Sequence, residues 1–129
     1  MLDAFLERMA ATPFVDGRTD CALTVADWVM EATDCPDPAS DIRGRYRTAL
    51  GRERLLKRLG GLEAVMTACA TRSGLRETKE PRRGDVGLVE FGGRQFAAIC
   101  LGRHWAIQSR AGLFGTEAAI LKAWEVARG

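Results

Sequence analysis

The sequence predicts an α+β fold in which a helical N-terminal half packs on an antiparallel sheet from the C-terminal half. Apolar residues recur at helical spacing up to about residue 71, and beyond Pro81 they form short strand-like runs separated by glycines. Helices and strands in separate parts of a chain are typical of this class. With 129 residues, 47% of them hydrophobic, the chain can bury one core, so we expect a single domain over residues 1–129.

Helices are predicted throughout the first half. The first opens the chain, where apolar residues lie at i, i+3, i+4 and i+7, and it ends before Pro13. The second covers about residues 20–33, and Asp20 or Thr19 can serve as its N-cap. Cys21 is therefore expected in the first turn of this helix. Shorter helices are predicted at about residues 41–46, 52–59 and 62–71.

Strands are predicted in the second half. They cover about residues 86–91, 95–101 and 104–109, and glycine-containing turns near 92–93 and 102–103 join them into an antiparallel meander. The tail at 118–126 is compatible with a continuing helix or with a last strand near Ala123–Val126.

Composition excludes several classes of protein. A formal charge of +2 is far from the strongly basic balance of nucleic-acid-binding proteins, so nucleic acid is not an expected partner. No apolar run reaches the ~20 residues of a membrane helix, and no signal peptide is recognisable. The four cysteines include no C-x-x-C pair, and the chain has one histidine, so neither a metal site nor a cofactor is predicted.

Cys21 is the best candidate for a nucleophile. Free backbone N–H groups and the partial positive charge at a helix start favour a thiolate and lower the pKa of a thiol. The alternative is structural, because cysteine is among the most buried residue types. On position alone, the structural reading is favoured.

Four segments, taken in order, resemble the NlpC-like cell-wall cysteine peptidases. Asp20–Leu23 resembles the start of the D-C-S-G-L-V motif that opens their catalytic helix. Pro81–Val86 resembles the P-G-D-L motif before the first core strand, and Phe96–Gly102 resembles H-V-G-I-Y-L-G, the strand that supplies the catalytic histidine. Trp105–Ser109 falls where the family's next strand offers a third polar residue. The resemblance implies a papain-like, NlpC-like fold.

The resemblance also assigns three site residues, and one of them breaks the catalytic dyad. Cys21 keeps the nucleophile position, Gln108 takes the third polar position, and Phe96 stands where the family has its histidine. Phenylalanine cannot exchange a proton, and a general base contributes ~10²–10⁴ in rate. Hydrolysis by this chain is therefore expected to be very slow.

The same alignment makes a geometric prediction. Phe96 and Gln108 should lie roughly opposite each other on neighbouring strands, with the Phe96 ring close to the Cys21 sulfur. His104, the sole histidine, should lie in a turn ~13 Å farther along the strand, too far for direct proton transfer. Cys21 should be the most readily alkylated thiol if it is accessible.

We expect a catalytically degenerate NlpC-like domain that serves as a structural or assembly protein. Domains of this kind recur among phage and prophage tail proteins and gene-transfer particles, which act on or contact peptidoglycan. The resemblance thus implies other tail or assembly proteins and peptidoglycan as partners. It also implies a cytoplasmic location in the host before assembly, followed by a place in the particle.

Two alternatives stay open. One is an active cysteine amidase or peptidase that acts on peptidoglycan peptides through Cys21, with His104 or a partner as its base. The other is a basic adaptor for a polyanion, because seven basic residues against two acidic ones between Asp41 and Arg58 give this segment a net charge of +5.

Overall fold

Four α-helices precede five β-strands in the computed structural model, which describes residues 1–126. The helices are α1 (Leu2–Ala10), α2 (Cys21–Thr33), α3 (Ala49–Arg58) and α4 (Leu62–Arg72). The strands are β1 (Val86–Phe91), β2 (Arg94–Cys100), β3 (Trp105–Ser109), β4 (Gly112–Thr116) and β5 (Ala119–Trp124). The predicted α+β class is confirmed.

One predicted helix is absent. The segment predicted to be helical at 41–46 is a series of turns, and Gly44 within it has a φ of 76° and donates its N–H to the Gly17 carbonyl at 3.0 Å. A left-handed residue tied to a distant loop ends regular helix formation. The next helix, α3, begins after Thr48, whose hydroxyl accepts the Gly51 N–H at 3.0 Å.

The strands form one antiparallel sheet in the order β4-β3-β2-β1-β5. The three predicted strands correspond to β1, β2 and β3. In the tail, the strand alternative is correct in type, but β5 covers Ala119–Trp124 and therefore begins and ends earlier than the predicted Ala123–Val126. The sequence did not predict β4, which pairs with β3 over five residue pairs.

The sheet is strongly curled. Its two edge strands, β4 and β5, are joined by only Glu117 and Ala118. In a flat sheet, four strand spacings would separate these edges by ~19 Å. Three Cα–Cα steps reach at most ~11 Å. The sheet must therefore bend toward closure, as in a small barrel.

Both faces of the curled sheet are buried. The helix-facing side packs against α1, α2 and α4 and includes Leu88, Ala97 and Ile99. No helix residue belongs to the cluster on the other side, which the curled sheet encloses itself; we call it the interior cluster. Its buried members are Val89, Ala98, Cys100, Trp105, Ile107 and Ala123.

One hydrogen bond fixes α2 against the sheet, and one close approach fixes the packing inside the sheet. The indole N–H of Trp28 in α2 donates to the Gly84 carbonyl just before β1 at 2.8 Å. Inside the sheet, a Cβ at Gly87 would lie 3.0 Å from the Trp105 ring and 2.9 Å from the Lys122 carbonyl oxygen. Only glycine leaves room there for the Trp105 indole.

Among residues 1–126, no helix combines the length and the hydrophobicity that crossing a membrane requires.

Candidate functional site around Cys21

The cap of α2 fixes the position of Cys21. Asp20 is the N-cap, as predicted, and its Oδ1 accepts the Leu23 N–H at 3.2 Å. Its Oδ2 accepts the Gly17 N–H at 3.0 Å and the Tyr46 hydroxyl at 2.5 Å. Asp20 is fully buried, and these three donors satisfy its carboxylate. Asp20 is thus a structural cap rather than a free base.

The environment of Cys21 favours the neutral thiol. Burial raises its pKa, which outweighs the lowering by the backbone N–H groups of Ala97 and Ala22 and by the Arg52 charge, while Asp20 raises it further. The prediction of a thiol activated by the helix start is therefore wrong, because desolvation exceeds the effect of the helix terminus. The thiol lies half-buried against the helix-facing side of the sheet.

Phe96 lies on the other face of the sheet. It pairs with Val89 in β1 and packs against the interior cluster, whereas the next residue, Ala97, pairs with Leu88 on the helix-facing side. Because side chains alternate along a strand, Phe96 and Cys21 are on opposite sides of β2. The expected approach of the Phe96 ring to the sulfur is therefore wrong, and Ala97 is the β2 residue that meets Cys21.

Gln108 lies on the helix-facing side, as expected. The expected pairing of Phe96 with Gln108 is absent, because β2 and β3 pair only at Ile99 with Ala106 and at Cys100 with Trp105. Gln108 is 2% exposed, and its Nε2 donates to the Thr12 carbonyl at 3.2 Å. Its Oε1 has no hydrogen-bond partner among residues 1–126. Its evident role is to attach the segment after α1 to β3.

His104 is exposed in the turn between β2 and β3, as predicted. The strands pair next to this turn, where Cys100 meets Trp105. Ala97 is three residues farther along β2, about 10 Å at the rise of a strand. His104 is therefore at the wrong end of β2 to act as a base for Cys21.

An open cleft lies beside Cys21 where β2 and β3 separate. The two strands pair over only two residue pairs, and beyond Ile99 they diverge. The cleft has a volume of about 430 Å³. Cys21, Phe96 and Gln108 all border it, so the structure brings the three assigned residues to one place even though the Phe96 side chain faces the interior cluster.

Three arginines and one glutamate, Glu53, border the cleft. Arg52 and Arg110 border it and both bind the buried carboxylate of Asp16, with 2.7 Å between Arg52 Nη1 and Asp16 Oδ1. The Arg110 guanidinium also lies 5.0 Å from the centre of the Phe14 ring. Arg94 borders the cleft without a salt-bridge partner among residues 1–126. Sequence reasoning missed this arrangement, because Asp16 and Arg110 are 94 positions apart and belong to no motif.

No group of three or more His, Cys, Asp or Glu residues within 1–126 is arranged to hold a metal ion. The site is thus a half-buried thiol at a helix start, next to a cleft that three arginines border.

Fold and site together define an α+β protein with a cysteine-bearing helix packed on a curled antiparallel sheet. The family model described as Domain of unknown function (DUF6950) matches residues 1–126, so the chain belongs to this family. No curated protein and no solved structure matches it.

Proposed function

We propose that this protein is a catalytically degenerate NlpC-like domain that acts by binding, as a structural or assembly component of a phage or prophage tail or a gene-transfer particle. The observation that supports this most is the surroundings of Cys21. Its sulfur accepts a hydrogen bond from the backbone N–H of Ala97, whereas a hydrolase needs a side chain there that accepts a proton.

The other polar groups near Cys21 do not replace that side chain. Asp20 is occupied by three donors. Burial, followed by the hydrogen bond to Asp20, raises the pKa of Tyr46, so its phenol keeps its proton. Without a base, the thiol is not ionised for attack and no acid protonates the leaving amine, a loss of ~10²–10⁴ in rate. The elevated pKa of Cys21 reduces the thiolate population further.

The partners in this proposal are other tail or assembly proteins, with peptidoglycan as a surface that the particle contacts. The order of elements supports the resemblance on which this rests: a cysteine-bearing helix is followed by an antiparallel sheet with its first three strands near the aligned segments. The assembly role is proposed from this resemblance.

Two measurements test the proposal. In the first, purified protein is incubated with peptidoglycan stem peptides and the mixture is separated by liquid chromatography, with the Cys21→Ser variant in parallel. We expect no product from either protein. Product from the wild type that disappears with Cys21→Ser would instead establish the cysteine amidase or peptidase.

In the second measurement, the protein is co-expressed with the products of its neighbouring genes and particles are purified by density gradient. We expect it to sediment with tail structures. Recovery only at the top of the gradient, while complete tails form without it, would contradict the assembly role.

A further inference from the structure

The basic segment between Asp41 and Arg58 divides into two sets of residues. Arg43 binds Asp37 at 2.7 Å and Asp27 at 2.8 Å, and Arg52 binds Asp16 at 2.7 Å. These two arginines are therefore structural. The other set consists of exposed cations with no carboxylate partner among residues 1–126, and four of them line one groove of about 760 Å³: Arg45, Arg54, Lys57 and Arg58.

The fold keeps these charges together at an energetic cost. Arg54 lies three and four residues before Lys57 and Arg58 in α3, and like charges at this spacing destabilise a helix. The helix dipole favours cations in the last turn, which accounts for Lys57 and Arg58. It accounts for neither Arg54 nor Arg45, which lies outside the helix. No carboxylate lines the groove, and the one acidic residue of α3, Glu53, offsets part of the repulsion because it lies four residues before Lys57.

The floor of the groove is rigid. Tyr46 and Gly51 complete its lining. The Tyr46 hydroxyl is fixed by the buried Asp20, and the Gly51 N–H is fixed by the Thr48 hydroxyl. Binding therefore requires ordering of the cationic side chains but not of the backbone that carries them.

An exposed leucine indicates whether a nucleic acid or an acidic protein segment fits this groove better. Leu50 is 56% exposed and lies one turn before Arg54 on the same side of α3. A phosphodiester backbone gives Leu50 nothing to contact, and the one aromatic residue of the groove, Tyr46, is 6% exposed and offers no stacking surface. An acidic protein segment with apolar side chains contacts both the cations and the leucine.

We propose that the Arg45–Arg58 groove, with Leu50 beside it, binds an acidic, amphipathic segment of another protein. Four of the nineteen basic residues of the chain line this one groove, and no carboxylate is among its lining residues. The inference goes beyond the proposed function and uses a surface other than the Cys21 cleft. Turnover of stem peptides would refute the proposed function and leave this inference intact.

The test uses two synthetic peptides of equal charge and oligodeoxythymidylate as probes. One peptide repeats Glu-Glu-Leu-Leu and the other repeats Glu-Glu-Ser-Ser, and affinities are measured by fluorescence anisotropy at low and physiological salt. We expect the leucine-containing peptide to bind more tightly than the other two probes. The double variant Arg54→Glu/Lys57→Glu should bind it about tenfold more weakly.

Two further variants separate specific binding from net charge. Arg76→Glu/Lys79→Glu changes two exposed cations outside the groove and alters the net charge equally, so it should retain binding. Leu50→Ser should remove the preference for the leucine-containing peptide. No binding at low salt, equal loss in both charge-reversal variants, or tighter and steeply salt-dependent binding of oligodeoxythymidylate would each overturn the proposal.

Discussion

The hydroxyl of Tyr46 donates a hydrogen bond of 2.5 Å to Asp20 Oδ2, which joins the segment before α3 to the buried cap of α2. Tyr46→Phe removes this donor and leaves a buried carboxylate with two partners. We expect the free energy of unfolding in urea to fall by about 1–3 kcal/mol. An unchanged value would mean that water replaces the hydroxyl. Asp20→Ala should cost more, because it also removes the N-cap.

The variant Gly87→Ala tests how tightly the Trp105 ring packs on Gly87 inside the curled sheet. The new Cβ would lie within 3.0 Å of the Trp105 ring and 2.9 Å of a backbone oxygen, so Gly87→Ala should lower the free energy of unfolding by about 1–3 kcal/mol. Gly115→Ala is the matched control in β4, because its Cβ would meet only Leu101 Cδ1 at 3.7 Å, an ordinary contact. Equal effects of the two variants would contradict the tight packing of Trp105 on Gly87.

Thiol reactivity should follow the raised pKa values. Burial raises the pKa of Cys69 to about 11, and burial raises that of Cys21 above its ordinary 9.0. At pH 8, a thiol of pKa about 11 is only ~0.1% ionised. Alkylation of both residues by iodoacetamide, followed by mass spectrometry, should be slow at pH 8 and should still accelerate above pH 9. A plateau below pH 8 at Cys21 would show an activated thiol instead.

The raised pKa values of Cys21 and Cys69 also make the free energy of unfolding depend on pH. A thiol whose pKa is raised in the folded state holds its proton after the unfolded chain has released it, so its contribution is complete below the unfolded pKa near 9 and is lost as pH rises beyond it. The stability difference between wild type and Cys69→Ala should therefore decrease above pH 9. A difference that is constant from pH 7 to 10.5 in urea unfolding would exclude this linkage.

Phe96→His tests on which face of β2 this side chain lies. Because Phe96 faces the interior cluster, the new imidazole should leave the alkylation rate of Cys21 within about twofold of the wild type, and Phe96→Leu provides the control for packing changes. A rate that rises severalfold with an inflection near pH 6.5, the ordinary pKa of histidine, would place position 96 next to the sulfur and restore the original alignment.

The sequence predicted where the helices and strands lie better than it predicted on which face of a strand each side chain lies. Periodicity located α1, α2, α4 and three strands, because each has clear apolar spacing and turn residues at its ends. The strand β4 was missed because it is short and half-exposed and has glycines at 112 and 115. In β2, Phe96 to Cys100 are all apolar, since a curled sheet buries both faces. No alternation therefore indicated that Ala97, rather than Phe96, meets Cys21.

Only those parts of the site that are formed by residues adjacent in the sequence could be predicted. Cys21 at a helix start and Asp20 as its cap are local features that propensities identify. The pKa of Cys21 depends on what packs over the thiol, and the binding of Asp16 by Arg52 and Arg110 depends on three distant segments. Such long-range contacts leave no local pattern.

The short connection at Glu117–Ala118 also bears on aggregation. The edge strand of a sheet offers unpaired N–H and C=O groups on which another molecule can add a strand. Here the connection draws one end of β4 toward β5 across the curled sheet, and an irregularity between Leu88 and Val89 shifts the β1–β5 register. Neither edge is therefore a long, flat template, so the protein can expose Ile120 and Leu121 on β5 without offering a straight strand for intermolecular pairing.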